Sequence, residues 1–149
     1  MPHNFVTAPS MDKRTIANEV LLEDAATLMN EGRDVMLTPL GSSMLPFIRG
    51  GKDSVRLRKM PDVAVGDIVL ARLPGRYVLH RVIERNDRKL TLMGDGNIAG
   101  TEACSTEDVM GSVVGIVRNG KERPAGKGRL WQFLKPVRRY ILAIYRRLP

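Results

Sequence analysis

The chain is poor in several residues on which common chemistries depend. It has one cysteine in 149 residues, Cys104, which excludes an intramolecular disulfide and a cysteine-rich zinc site. Its two histidines, His3 and His80, are too few and too far apart for a histidine metal cluster. Aromatic residues make up only 5% of the chain, so a base-stacking platform for nucleic acid is not expected. Long apolar runs are missing too. The longest stretch free of formal charge, Val35 to Ile48, spans 14 residues and is interrupted by Pro39, Gly41 and Pro46. A membrane-crossing helix needs roughly 20 apolar residues. The N-terminus lacks the basic-then-apolar layout of a secretory signal. The expected location is the cytoplasm, or the inner face of the membrane as a peripheral protein.

Charge is abundant but uneven. The net charge is +8, from 24 basic and 16 acidic side chains. Residues 1–117 hold 14 Lys/Arg and 15 Asp/Glu, a balance of −1, whereas residues 118–149 hold 10 Lys/Arg and one acid, Glu122, a balance of +9. The excess belongs to a tail, and a tail of that kind is suited to an anionic surface.

Hydrophobic residues make up 43% of the chain, enough for a buried core. Residues 1–11 read as a flexible lead and 12–118 as the folded body. Within the body, Ile16, Ala17, Val20, Leu21, Ala25, Leu28 and Met29 recur at helical spacing, and Gly32 ends the pattern. No second helix follows after a short turn, which argues against a helix-turn-helix reader. The texture then becomes β. Strands are expected at Val35–Thr38, Val55–Arg58, Ile68–Leu73, Tyr77–Glu84, Leu90–Met93 and Val109–Val117, separated by glycine- and proline-bearing turns. The expected fold is mainly β: a coiled antiparallel sheet or small barrel with an N-terminal helix. Residues 119–128 are polar, with glycine and proline breaks, and read as a linker. Residues 129–149 read as a basic amphipathic helix. Trp131, Leu134, Ile141, Leu142 and Tyr145 lie on one side of it, and Pro136 kinks it or marks its start.

Three segments could carry chemistry. Gly41-Ser42-Ser43-Met44-Leu45-Pro46 sets hydroxyls on a tightly shaped loop, although ordinary loops share that composition. A serine becomes a nucleophile only with a base in hydrogen-bond reach and amide donors for the oxyanion. His80 shares a strand face with Val78 and Val82, as a core histidine or a general base would. Gly94-Asp95-Gly96-Asn97 is either a turn capped by its own Asp and Asn or the source of a supporting carboxylate.

The order of these segments resembles the signal peptidase I family, within the wider group that includes the LexA-like self-cleaving repressors. The similarity spans about residues 38–117. Ser43-Met44-Leu45-Pro46 is similar to the nucleophile box, Gly66-Asp67-Ile68-Val69 to the structural box after it, His80-Arg81-Val82 to the base position in its histidine form, and Gly94-Asp95-Gly96-Asn97 to the terminal box. The resemblance implies the coiled β catalytic domain of that group. It also implies Ser43 as nucleophile, His80 as base, and an acyl-enzyme intermediate. The third acid would be Asp95 or Glu102. Oxyanion support would come from Ser42 or the Ser43 amide, because Gly41 stands where the bacterial enzymes often carry a hydroxyl. Met44, Pro46 and Arg81 would shape the groove, and the peptide would bind as an added strand.

The expected function is therefore a serine endopeptidase acting on a peptide or protein precursor, with no metal or organic cofactor. Two alternatives stand beside it: a non-catalytic peptide-binding module on the same fold, and a self-cleaving regulator. The tail, 129–149, would meet an anionic membrane surface or pack on the body. Nucleic acid is not an expected partner.

Overall fold

The computed structural model of the chain describes residues 5–7, 15–97 and 99–147, with side chains of the first helix from Leu21 onward. That helix, α1 (Thr15–Asn30), ends as its sequence predicts. Gly32 takes a φ of 85°, its amide donates to the Met29 carbonyl, and the Arg33 amide donates to the Leu28 carbonyl. These two bonds make a Schellman stop, a geometry that needs a residue at ease with positive φ. Leu22, Ala25, Ala26 and Met29 are buried, which fixes the face turned to the core.

The remaining architecture is a curled, mainly antiparallel sheet. Its strands are β1 (Phe5–Thr7), β2 (Asp34–Leu37), β3 (Ser54–Arg58), β4 (Ile68–Leu73), β5 (Arg76–Asn86), β6 (Lys89–Met93), β7 (Glu102–Ser105), β8 (Val109–Arg118) and β9 (Lys121–Pro124). The spatial order is β1-β2-β3-β8-β4-β5-β6-β7, with β9 also paired to β8. Only β1 on β2 is parallel among these pairings. One edge of β8 carries β3. The other carries β4 along Val109–Ser112 and β9 along Gly115–Arg118.

Burial follows the strand period. Val55 and Leu57 are fully buried, while Arg56 and Arg58 turn outward to Glu122 and Asp34. The run Ile68–Leu73 lacks alternation because β4 is covered on both faces. Ile68 and Leu70 face a core built with α1, β2 and β3, and Val69 and Ala71 face a second core with Val82, Leu90 and Leu92. At Gly111 the helix lies directly on β8: a Cβ there would collide with the Met29 side chain.

Three expectations about the ends of the chain need correction. Within the 1–11 lead, Phe5–Thr7 pairs with β2; the rest of that lead lies outside the described residues. The 119–128 stretch is not simply a linker, because it contains β9. Its turn is Asn119-Gly120, with φ of 52° and 78°, the dipeptide that favours a tight hairpin between twisted strands. The basic C-terminal segment is not one helix. It runs as α2 (Arg129–Phe133), a 3₁₀ turn at Lys135–Val137 and α3 (Arg138–Arg147), broken where Pro136 lacks an amide hydrogen. Trp131, Arg138 and Leu142 are buried against the body. Among the described residues no helix is long and apolar enough to cross a membrane.

The connection from β2 to β3 carries the serine loop, and a buried carboxylate locks its far end. Asp53 is fully buried and accepts from Arg49 Nη2 at 2.9 Å and Arg118 Nη2 at 2.7 Å. Arg118 also donates to the Pro46 and Phe47 carbonyls. Burial disfavours the charged carboxylate, but hydrogen bonds from Arg118 and Arg49 outweigh it and hold Asp53 below the usual carboxylate range. A carboxyl depressed in the folded state stabilises fully above its unfolded pKa of about 4 and loses that contribution as pH falls through the folded value. Asp53→Asn is therefore expected to cost roughly 3–5 kcal/mol at neutral pH, a gap that narrows below about pH 4. Urea titrations of both proteins across that range test this; a gap that does not change with pH contradicts it.

Candidate active site

Ser43 sits on the loop that leaves β2, and local packing fixes its position. Met44 and Ile48 are buried, and the amides of Phe47 and Ile48 both donate to the Met44 carbonyl. The loop closes on itself where Gly50 rests on the Gly41 backbone, too close for any Cβ. Gly41 itself has a φ of 91°. A hydroxyl-bearing side chain would be strained in that backbone conformation.

His80 lies on β5 and is 7% exposed. Its Nδ1 is 2.6 Å from Glu102 Oε1, at the start of β7. An ionised carboxylate can only accept, so in the neutral imidazole that bonds it Nδ1 carries the proton and Nε2 has the lone pair. That Nε2 faces the glycine loop: a Cβ placed on Gly94 would lie 3.1 Å from it and would also collide with the Ser43 carbonyl. Glycine at 94 thus lets the serine loop and the histidine approach the same point. Gly96 serves the next step, donating to the Ser43 carbonyl at 2.7 Å with no room for a side chain against Ser42.

Of the two candidate acids, Glu102 bonds His80. It also faces Arg76, whose Nη2 is 3.6 Å from Oε2. Asp95 does something else. It is fully buried and forms a bidentate pair with Arg81, Nε to Oδ1 at 2.8 Å and Nη2 to Oδ2 at 2.7 Å. Burial raises the Asp95 carboxyl, and the Arg81 guanidinium opposes the rise. The remaining Arg81 donor, Nη1, reaches the Gly66 and Gly126 carbonyls, and the guanidinium lies 4.9 Å from the centre of the Phe47 ring. His80 and Arg81 are neighbours on a strand, so one serves the cleft and the other the scaffold.

Ser43, His80 and Glu102 line one cleft of about 550 Å³. Its floor is apolar, formed by Leu22, Leu37, Met44, Ile48, Val55 and Leu70. The β5 residues Arg76–His80 pair with β4 on one side only, because β6 pairs from Arg81 onward. Among the described residues no strand pairs with their other edge, and all five residues line the cleft. Among the described residues, the Ser43 amide has no acceptor and the Ser43 hydroxyl makes no hydrogen bond to His80. Ser42 is exposed, and Pro46 receives Arg118 on its carbonyl. Cys104 is no rival nucleophile. Burial, then the charges of Asp108 and Glu102, push its thiol up to about 11.

Sequence reasoning did not single out Arg76, which also lines the cleft, as does Asn97 of the 94–97 segment. Nor did it foresee the tail's part in the site. Trp131 Nε1 donates to the Asp95 carbonyl at 2.8 Å, and Arg146 to the Gly96 carbonyl at 2.8 Å. The buried arginine–aspartate pair makes a sharp energetic prediction. Arg81→Ala strands a buried carboxylate and is expected to cost roughly 3–5 kcal/mol, whereas Arg81→Met/Asp95→Leu should lose less than the sum of its single changes. A double-mutant cycle in urea measures the coupling, and simple additivity contradicts it.

Compared with known proteins, the chain matches no protein-family profile and no curated protein.

Proposed function

We propose that the chain is a serine endopeptidase that cleaves a peptide or protein precursor through an acyl-enzyme. One observation carries the reading: Ser43, His80 and Glu102 meet at a single cleft beside an unpaired strand edge. The substrate would lie along Arg76–His80 as an added strand and turn its scissile carbonyl to Ser43. His80 Nε2 takes the hydroxyl proton as Ser43 Oγ attacks, and Glu102 holds the imidazole and stabilises its cation. The free Ser43 amide is a donor for the oxyanion. The C–N bond breaks as His80 returns the proton to the leaving amine. Water, activated by the same base, then releases the acyl group. The cytoplasm, or the inner face of the membrane, is the site of action consistent with this reading.

A non-catalytic peptide-binding module is the second reading. The missing hydroxyl–imidazole bond favours it, though such bonds are often loose until substrate binds.

A fluorophosphonate probe separates the two readings. Wild type is expected to be labelled, Ser43→Ala and His80→Ala to lose labelling by at least about 10³-fold, and Glu102→Gln to slow it by roughly 10²–10⁴-fold. Mass spectrometry of the labelled peptide locates the adduct. Labelling that persists in Ser43→Ala overturns the nucleophile, and failure of the wild type to label at all leaves the binding module as the better account.

A further inference from the structure

The C-terminal helices turn two different surfaces outward and inward. Trp131, Arg138 and Leu142 are buried in the body, which fixes the orientation of both helices. The opposite side carries large apolar residues in the open: Phe133 at 81% exposure, Leu130 at 71%, Ile144 at 66% and Tyr140 at 60%. Tyr140 and Ile144 are one turn apart on α3, so they share a face. Single exposed apolar residues are ordinary, but four of them fall on two short helices that follow one another in the chain.

The charges around that surface are also unusual for this chain. In the body, Arg49, Arg58, Arg72, Arg81, Arg85 and Arg118 each sit in an ion pair with a carboxylate. On the tail, Arg129, Arg139 and Arg147 are exposed, and no carboxylate pairs with them among the described residues. Arg139 stacks on the Tyr140 ring at 5.1 Å, which joins charge and aromatic surface in one patch. The composition fits a headgroup plane, with apolar and aromatic side chains at the acyl boundary and guanidinium groups on phosphates.

We propose that this face, Leu130, Phe133, Tyr140 and Ile144 ringed by Arg129, Arg139 and Arg147, docks on an anionic lipid surface. The inference does not depend on catalysis. It has a spatial corollary, because the same module holds the candidate active site: Arg146 bonds the Gly96 carbonyl and Tyr145 bonds the Pro46 carbonyl at 3.5 Å. A chain bound this way keeps its cleft next to the lipid surface.

Sedimentation with vesicles tests the proposal on the full chain. Vesicles of equal parts phosphatidylcholine and phosphatidylglycerol are expected to pull the protein down, and pure phosphatidylcholine vesicles to leave it in solution. Added salt should weaken the binding. Arg139→Gln/Arg147→Gln should lower partitioning by roughly fivefold per residue removed. Phe133→Ser/Ile144→Ser should lower it while leaving the charge-driven salt dependence unchanged, and both positions are exposed enough for the fold to survive, which circular dichroism checks. Equal sedimentation with both vesicle types overturns the proposal, as does binding untouched by either double variant. So does a single-stranded oligonucleotide that strips the protein from anionic vesicles at equimolar phosphate, which would assign the face to nucleic acid.

Discussion

The buried ion pair of Arg81 and Asp95 is the constraint around which the rest of the site is arranged. Taking both charges out of water costs several kcal/mol per ion, and only complete hydrogen bonding offsets that. Arg81 meets the requirement by reaching three separate parts of the chain: the 94–97 loop through Asp95, the turn before β4 through the Gly66 carbonyl, and the segment leading to the tail through the Gly126 carbonyl. The position of the 94–97 loop is thereby set, and that loop in turn sets how the Ser43 carbonyl and the His80 ring approach one another. A polar network that must be satisfied in full rigidifies whatever it touches. Here it touches the neighbourhood of every candidate catalytic group except Glu102, which a different strand supplies.

Much of this was legible in the sequence, for reasons particular to each element. Alternation at Val55–Arg58 and the apolar run at Ile68–Leu73 state how many faces of each strand are covered, so their type and place were readable. Gly32 announced the end of α1 because few other residues fit its backbone. The segments around Ser43, His80 and Asp95 stood out by their residue types and order, and the structure brings the three together. What remained hidden was pairing across distance. Nothing local to Glu102 says that its carboxylate faces His80 rather than that Asp95 does, because the choice rests on the register of β6 with β7. Nothing in the sequence separates Arg138 from the other basic residues of the tail, yet it is buried, stacked near Trp131 with its guanidinium directed at backbone carbonyls. The Asn119-Gly120 hairpin was local and readable, and was masked by the breaks around it.

Electrostatics divides the molecule more cleanly than its domain plan does. Most of the body's arginines pair with carboxylates, and residues 1–117 hold nearly equal numbers of the two signs. The tail keeps its cations in solvent while sinking one arginine and one tryptophan into the body as anchors. Anchor and display are thus carried by the same 19 residues, Arg129–Arg147, and no additional domain is needed to join them.

The shared edge of β8 gives the molecule a mechanical property. Between the core sheet and the tail lies the short β8–β9 ladder, four residue pairs from Gly115–Pro124 to Arg118–Lys121. Once the tail's own contacts with the body at Gly126, Trp131 and Arg146 have parted, a pull loads that ladder from its Pro124 end, so the pairs open one after another rather than all at once. The first pair is also the weakest, because proline donates no backbone hydrogen bond. Meanwhile β8 keeps β3 on its other edge and β4 along its first half. The hairpin is therefore placed as a fuse: it can peel under tension while the sheet that carries His80 stays closed.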